Sequence, residues 1–207
     1  MNNVFCTRIE HPEKVFLTSD THFHHVNILK YCNRPFATVE EMNEAMITRW
    51  NDKVRDEDTV YILGDLFFRA ATVEAVLQRL KGRKHLVLGN HDHTWTSKVR
   101  LADHFESVQT ICEIDIGGKP ATLCHYPMLS YPQARRGYMI YGHIHNNTGD
   151  DYWPLIMRRG RMLNAGVDVN NFAPVTFDEL LANNASFRQQ HADSARSNPL
   201  ALFCAEA

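Results

Sequence analysis

Asn90, His91, Asp92 and His93 follow one another directly after the apolar run Leu86-Val87-Leu88 and Gly89. Core packing has no use for four such side chains at a strand end, whereas metal ligation and proton transfer do. The same arrangement of a β-prone run followed by a polar turn recurs along the chain. Asp20 and His22 follow residues 14–19, and Asp65 follows residues 59–63 and Gly64. His125 follows residues 119–124, and His143 and His145 follow residues 138–141 and Gly142. In an α/β sheet the carboxyl ends of the strands share one edge, where ligands bind. Oxygen donors mixed with imidazoles suit Mn, Fe, Zn or Ni, while an all-oxygen set would suit Mg or Ca. So many donors exceed the needs of one ion. Two ions about 3.5–4 Å apart, sharing a carboxylate, activate a water and clamp the oxygens of an in-line displacement at phosphorus. No thiolate accompanies these groups, which argues against a structural zinc knot.

The elements that must position these residues follow from periodicity. Residues 14–19, 59–63 and 85–88 read as buried strands. Between the first two, Thr38 and Glu41 form a capping box that opens a helix with Met42, Met46 and Trp50 along one face. Between the second and third, Val73, Val76, Leu77 and Leu80 mark a helix closed by Gly82. Strands separated by capped helices indicate βαβ units and a partly parallel sheet. Residues 107–116 and 119–124, joined by Gly117-Gly118, read as a β-hairpin with a primed turn. Residues 138–141, 161–164 and 167–169 read as further short strands, and Thr176 with Glu179 opens a last helix to about Arg188. From residue 191 the composition turns to Ser, Asn, Asp and Ala, which predicts a loose tail over 191–207 after one domain spanning 1–190.

The ordered series Asp-x-His, Gly-Asp, Gly-Asn-His-Asp, a lone His and Gly-His-x-His, from Asp20 to His145, resembles the calcineurin-like metallophosphoesterase superfamily. The stretch Ser19-Asp20-Thr21-His22-Phe23-x-His25-x-Asn27-Ile28 resembles its small stand-alone bacterial and phage members. The resemblance implies an α/β fold, a four-layer α-β-β-α sandwich of mixed sheets. It implies that Asp20, His22 and His145 ligate one metal, that Asn90, His125 and His143 ligate a second, and that Asp65 bridges both. It further implies a metal-bridging hydroxide as the nucleophile on a phosphomonoester or phosphodiester. His91 then stabilises the phosphate or protonates the leaving oxygen, and Asp92 orients it. Two divalent transition-metal ions are expected, Mn first, with Fe, Zn or Ni as alternatives. One departure is His24, where related small members often carry glycine, and its ring is expected to narrow the mouth of the site.

Composition narrows the reading. The chain has 207 residues, 44% of them hydrophobic, and a formal net charge of -2, which gives no global footprint for nucleic acid. Five cysteines without a C-x-x-C pair, together with no signal-peptide core and no membrane-length apolar run, predict a reduced, cytoplasmic protein. His25 and Asn27 are the better candidates for substrate contact, and Arg34 is a candidate to hold a substrate phosphate. Asp168 reads as support for the ligands. The partner is expected to be a small phosphate ester, including a nucleotide. Nucleic acid is the less favoured partner, since Arg135-Arg136 and residues 158–161 are short charge runs that are usually solvated. The alternatives are a catalytically silent scaffold of the same fold, or a nuclease.

Overall fold

The computed structural model describes residues 7–69 and 72–193. In chain order the elements are β1 (Thr7–Ile9), β2 (Val15–Thr18), α1 (Ile28–Tyr31), α2 (Val39–Lys53), β3 (Thr59–Ile62), α3 (Val73–Leu77) and β4 (Arg83–Val87). They continue as β5 (Ser107–Gln109), β6 (Ile111–Ile116), β7 (Lys119–Cys124), β8 (Tyr138–Tyr141), α4 (Trp153–Met157), β9 (Met162–Asn164) and α5 (Phe177–Gln190). Residues 194–207, most of the expected tail, lie outside the described residues.

Alternation decides which way each strand residue faces, and it splits the core into three. In β2, Phe16 packs with Met42, Met46 and Trp50 of α2, together with Val60, Ile62 and Leu86 from the neighbouring strands. Its neighbours Val15 and Leu17 point the other way, into a second cluster with Tyr61, Val87, Ile114, Leu123, Ile140 and Leu163. Met139, Tyr141 and Met162 face a third cluster with Trp153 and Ile156 of α4. The layers are therefore helices, sheet, sheet, helix, as an α-β-β-α sandwich requires. The four-stranded sheet, ordered β2-β3-β4-β5, is wholly parallel; the five-stranded sheet, ordered β1-β6-β7-β8-β9, is mixed.

Local signals behave as the sequence dictates at several points. Thr38 caps α2 by accepting from Glu41 N at 3.1 Å, while the Glu41 carboxylate accepts from Ala37 N and so does not complete the expected box; Thr176 with Glu179 forms a complete capping box on α5. Gly117 and Gly118 both take positive φ (60° and 84°), the condition for a primed turn pairing Ile116 with Lys119.

Two expectations are corrected. Residues 107–116 are not one hairpin strand, because the chain changes sheet at Thr110. β5 pairs parallel with β4 in the first sheet, and β6 pairs with β7 in the second. Continuous alternation cannot reveal which neighbour a strand has. Residues 167–169 form a turn rather than a strand, since Asn170 N bonds back to Val167 O at 3.1 Å.

Candidate metal centre

The carboxyl ends of strands from both sheets meet at one rim, and glycine permits the meeting. A Cβ at Gly142 would overlap Ser19 Oγ and the Asp20 carboxylate, and one at Gly89 would overlap Asp65. Only hydrogen at these positions lets the turns after β2, β3, β4 and β8 approach so closely. The backbone there is strained as well as crowded. Asp20, His22, Asp65, His143 and His145 have φ of 56°, 51°, 54°, 71° and 50°. Left-handed conformations of this kind are uncommon for residues with a Cβ, and they gather where surrounding structure enforces them.

The turns are laced together by backbone-to-carboxylate bonds. His143 N donates to both oxygens of Asp20, at 3.0 and 2.9 Å, joining the rim of one sheet to that of the other. His91 N donates to Asp65 Oδ1 at 2.9 Å. Asp92 accepts from the backbone N–H groups of Asp65, Leu66 and Gly89 and from Trp95 Nε1, at 2.7–3.1 Å. Burial pushes the Asp92 carboxyl up, while the bonds from Gly89 N and Trp95 Nε1 pull it down. These donors occupy Asp92 with loop geometry, so orienting the His91 ring, the role expected of it, is not among its contacts.

Two overlapping groups could each hold an ion: Asp20, His22 and His145, and Asp20, Asp65 and His125. Asn90 extends the second, with its Oδ1 at 3.0 Å from both His125 Nε2 and His143 Nδ1. Asp65 Oδ2 lies between the groups, 3.6 Å from His22 Nε2 and 3.4 Å from His125 Nε2. All seven expected ligands are thus brought together, and Asp20 also reaches both groups.

The imidazoles are held from behind. His145 Nδ1 bonds Asp168 Oδ2 at 2.9 Å, which leaves Nε2 facing Asp20. His125 Nδ1 donates to Leu63 O at 2.7 Å and presents Nε2 to the rim. A carboxylate or carbonyl behind a histidine fixes its tautomer and orientation for a metal.

Charges in this pocket displace one another. Burial opposes protonation of His145, yet Asp20 and Asp168 drive it up to about 11. Burial likewise opposes charge on His125, and its bond to Asp65, with the Asp20 charge, pushes it up to about 9. Burial raises the Asp65 carboxyl, but His125 and His22 outweigh this and hold it down at about 2. Burial, then the neighbouring His145, holds His22 well below the ordinary imidazole value. Among the described residues neither nitrogen of the His22 ring has a hydrogen-bond partner, although the residue is 1% exposed. A buried ring with two unanswered nitrogens, flanked by carboxylates, fits a divalent cation. The donor set therefore suits the metals implied.

Other expected residues divide. His91 and Asn27 line a cavity of ≈ 780 Å³ that opens over the rim, as does His25. Burial, then His91, lowers His25 to about 4, so it presents a neutral ring. Arg34 is corrected. Its side chain is fully buried, paired with Asp168 at 2.8 Å and donating to Asp20 O and Thr21 O at 2.7 Å each. It braces the metal rim from below and has no path to a substrate phosphate. His24 is also corrected. Its ring contacts Asn43 and Thr72 rather than the cavity, and its φ of 66° is one that glycine adopts freely. The arginine runs tie loops together, Arg159 to Leu129 O and Arg161 to Arg135 O, and do not line this cavity. Sequence reasoning missed Cys32, which sits with His145 and Asp168, and the cavity aromatics Tyr31 and Phe68. The available signal was an aromatic placed next to a ligand motif in a loop.

Comparison with known proteins gives a consistent result. A family model described as the calcineurin-like phosphoesterase superfamily domain matches residues 14–168. An uncharacterized protein of Methanocaldococcus jannaschii is 41% identical over 168 residues, 80% of this chain and 88% of that one. The gene 66 protein of Mycobacterium phage L5 is 26% identical over 189 residues, 74% of this chain and 86% of that one. The crystal structure of a protein of unknown function from Aquifex aeolicus superposes with a TM-score of 0.64 at 28% identity. It covers 80% of this chain and 96% of that one.

Proposed function

Since the chain belongs to the calcineurin-like phosphoesterase superfamily, we propose that it hydrolyses a small phosphate ester at a pair of divalent metal ions. The observation that carries this reading is Asp65 Oδ2, set between His22 Nε2 and His125 Nε2 at 3.6 and 3.4 Å. A carboxylate oxygen with imidazoles of both ligand groups on either side is where a bridge between two ions belongs. Asp20, His22 and His145 would hold one ion, Asn90, His125 and His143 the other, and Mn is the metal we expect first. Bound there, the ions supply Lewis-acid charge to phosphoryl oxygens and make a water nucleophilic at neutral pH.

The chain's own residues do the rest. His91 lies beside the centre, its Nε2 3.9 Å from Asp65 Oδ2, with its side chain about one-third exposed to the cavity. It belongs to neither ligand group, so its ring is free to give a proton to the leaving oxygen. Arg34 and Asp168 keep His145 in one tautomer. Asp92 fixes the turns that carry Asp65 and Asn90. His25 and Asn27 border the path by which the ester enters, and residues 1–190 act as one catalytic unit in the cytoplasm.

The deciding experiment is hydrolysis of bis-p-nitrophenyl phosphate and p-nitrophenyl phosphate by metal-stripped protein, with Mn²⁺, Ni²⁺, Zn²⁺ or Mg²⁺ restored. We expect turnover that returns with metal, and the preferred ester identifies diester or monoester chemistry. Protein that binds two ions and cleaves neither ester would make the chain a metal-binding scaffold instead.

A further inference from the structure

Helix α5 (Phe177–Gln190) lies beyond residues 14–168, the part of the chain that the family model matches, and it carries two adjacent asparagines at its centre. Asparagine is a poor helix former, and burying an amide costs free energy unless it is bonded. Asn184 is nevertheless buried, and its whole amide is engaged. Its Oδ1 accepts from Asn164 N at 2.7 Å, and its Nδ2 donates to Asn164 O at 3.0 Å and to Leu180 O at 2.9 Å. The Asn164 side chain continues toward the metal rim. Its Nδ2 donates to His145 O at 2.7 Å, while its Oδ1 accepts from Gly166 N at 2.8 Å. A second route starts one residue earlier in the helix. Asn183 Nδ2 donates to Asn170 Oδ1 at 3.1 Å, and Asn170 Nδ2 donates to Asn164 O and Gly166 O at 3.0 and 2.9 Å. These bonds close the turn that carries Asp168, whose carboxylate meets His145 Nδ1.

We propose that Asn183 and Asn184 of α5 are positioning residues for the ion that Asp20, His22 and His145 would hold. The inference rests on the reading that His145 is a metal ligand. His145 stands outside any helix or strand, with left-handed backbone at φ 50°, so the regular ladders do not hold it. It is gripped at two points, the carbonyl by Asn164 and the ring by Asp168, and both grips lead back to α5. Fixing backbone and ring together fixes where Nε2 points, and such outer partners set a ligand's affinity for its metal. The other ligand group is held by different means. His125 Nδ1 is bonded to Leu63 O, Asn90 sits in the turn that Asp92 ties at Gly89, and His143 N donates to Asp20. Among the described residues, none of these three bonds to Asn164, Asn170, Asn183 or Asn184. The amides of α5 therefore act on one ion and spare its neighbour.

The test reads metal affinity. Mn²⁺ is titrated by calorimetry into the metal-free full chain, and the binding step lost in His145→Gln identifies the first ion. Asn184→Leu should weaken that step by about tenfold or more and leave the other within about threefold. Asn183→Ala, at a half-buried position and safe for folding, should weaken the same step by a smaller factor. Phe177→Leu shrinks the core beneath α5 without touching an amide, so it should lower the denaturation midpoint and leave both steps in place. Both steps weakened alike, neither weakened, or the same selective loss in Phe177→Leu would overturn the inference. Should Asn184→Leu not fold, an unchanged first step in Asn183→Ala overturns it. Hydrogen exchange on the metal-free protein keeps the two readings apart: residues 143–147 should exchange faster in the asparagine variants and not in Phe177→Leu. A wild-type chain that takes up no manganese defeats the metal reading and with it the role for the ion. Two binding steps in the wild type, with exchange unmoved by the asparagine variants, defeat only the positioning role.

Discussion

His22 and His85 line cavities at opposite ends of the same sheet. Beyond the carboxyl end of β2, His22 is buried with neither ring nitrogen bonded. In the middle of β4, His85 stacks on Tyr61 at 4.7 Å and shares a hydrogen with Ser107 Oγ at 2.8 Å. Each end has a sizeable cavity, and the one at the amino ends (≈ 540 Å³) is bordered by Val15, Thr59 and Arg83, the first residues of β2, β3 and β4. Histidines and a hollow therefore do not distinguish the two rims. What distinguishes them is dissatisfaction. Of the five buried side-chain atoms without a partner among the described residues, three belong to His22 and His25. Five of the seven candidate ligands also hold left-handed backbone. Groups that folding leaves unanswered mark where something else must bind.

The largest break in this contrast should come from Asp65→Ala. Removing the carboxylate set between the two ligand groups should release both ions and reduce turnover to background, read by metal analysis alongside ester hydrolysis. Retention of a stoichiometric metal pair would defeat its bridging role. Next, His91→Ala should keep the metals but slow esters with poor leaving groups by about 10²–10⁴-fold, the usual contribution of a general acid. Activated aryl esters should suffer much less, and equal losses on both would count against a proton donor.

Arg34→Met should strip the buried Asp168 of its guanidinium partner and leave it His145, costing about 3 kcal/mol in denaturant unfolding. It should also weaken metal binding by about 10–100-fold through the loosened His145. Unchanged metal affinity in that variant would separate the brace from the site. The smallest effect belongs to the satisfied rim. Burial lowers the His85 pKa below its ordinary 6.5, so the unfolded chain takes up the proton first as pH falls. Stability should therefore decline below about pH 6.5, and His85→Gln should flatten that decline while leaving hydrolysis untouched. A change in metal-dependent turnover in this variant would mean that the two rims are not independent.

Much of the candidate rim is legible in the chain because each group of candidate ligands follows a short apolar run within a few residues. The run predicts a buried strand, and the next polar residue must then stand at its end. The layered core is legible for a similar reason, since Phe16 and Leu17 alternate between two faces. What escapes is whatever depends on distant partners. The change of sheet at Thr110 leaves no trace in alternation. Arg34 and Asp168, 134 residues apart, meet only because the loop after α1 and the turn after β9 converge beneath the candidate ligands. Asp92 looks like a member of a catalytic row, but its carboxylate is consumed by backbone N–H donors from two turns and by the Trp95 indole. Tyr31 reads as an ordinary loop aromatic until the fold places it at the end of α1, on the lining of the cavity.

The left-handed residues have a consequence for anyone who would select improved versions of this protein. Glycine at position 22, where the ring has no hydrogen bond to lose among the described residues, would relax a steric cost of about 1–2 kcal/mol at the price of about 0.5–1 kcal/mol in chain entropy. The exchange also deletes a candidate metal donor. A heat-challenge screen run without metal would thus enrich a replacement that disarms the rim. Laboratory evolution of this fold should therefore be scored under metal-dependent selection from its first round.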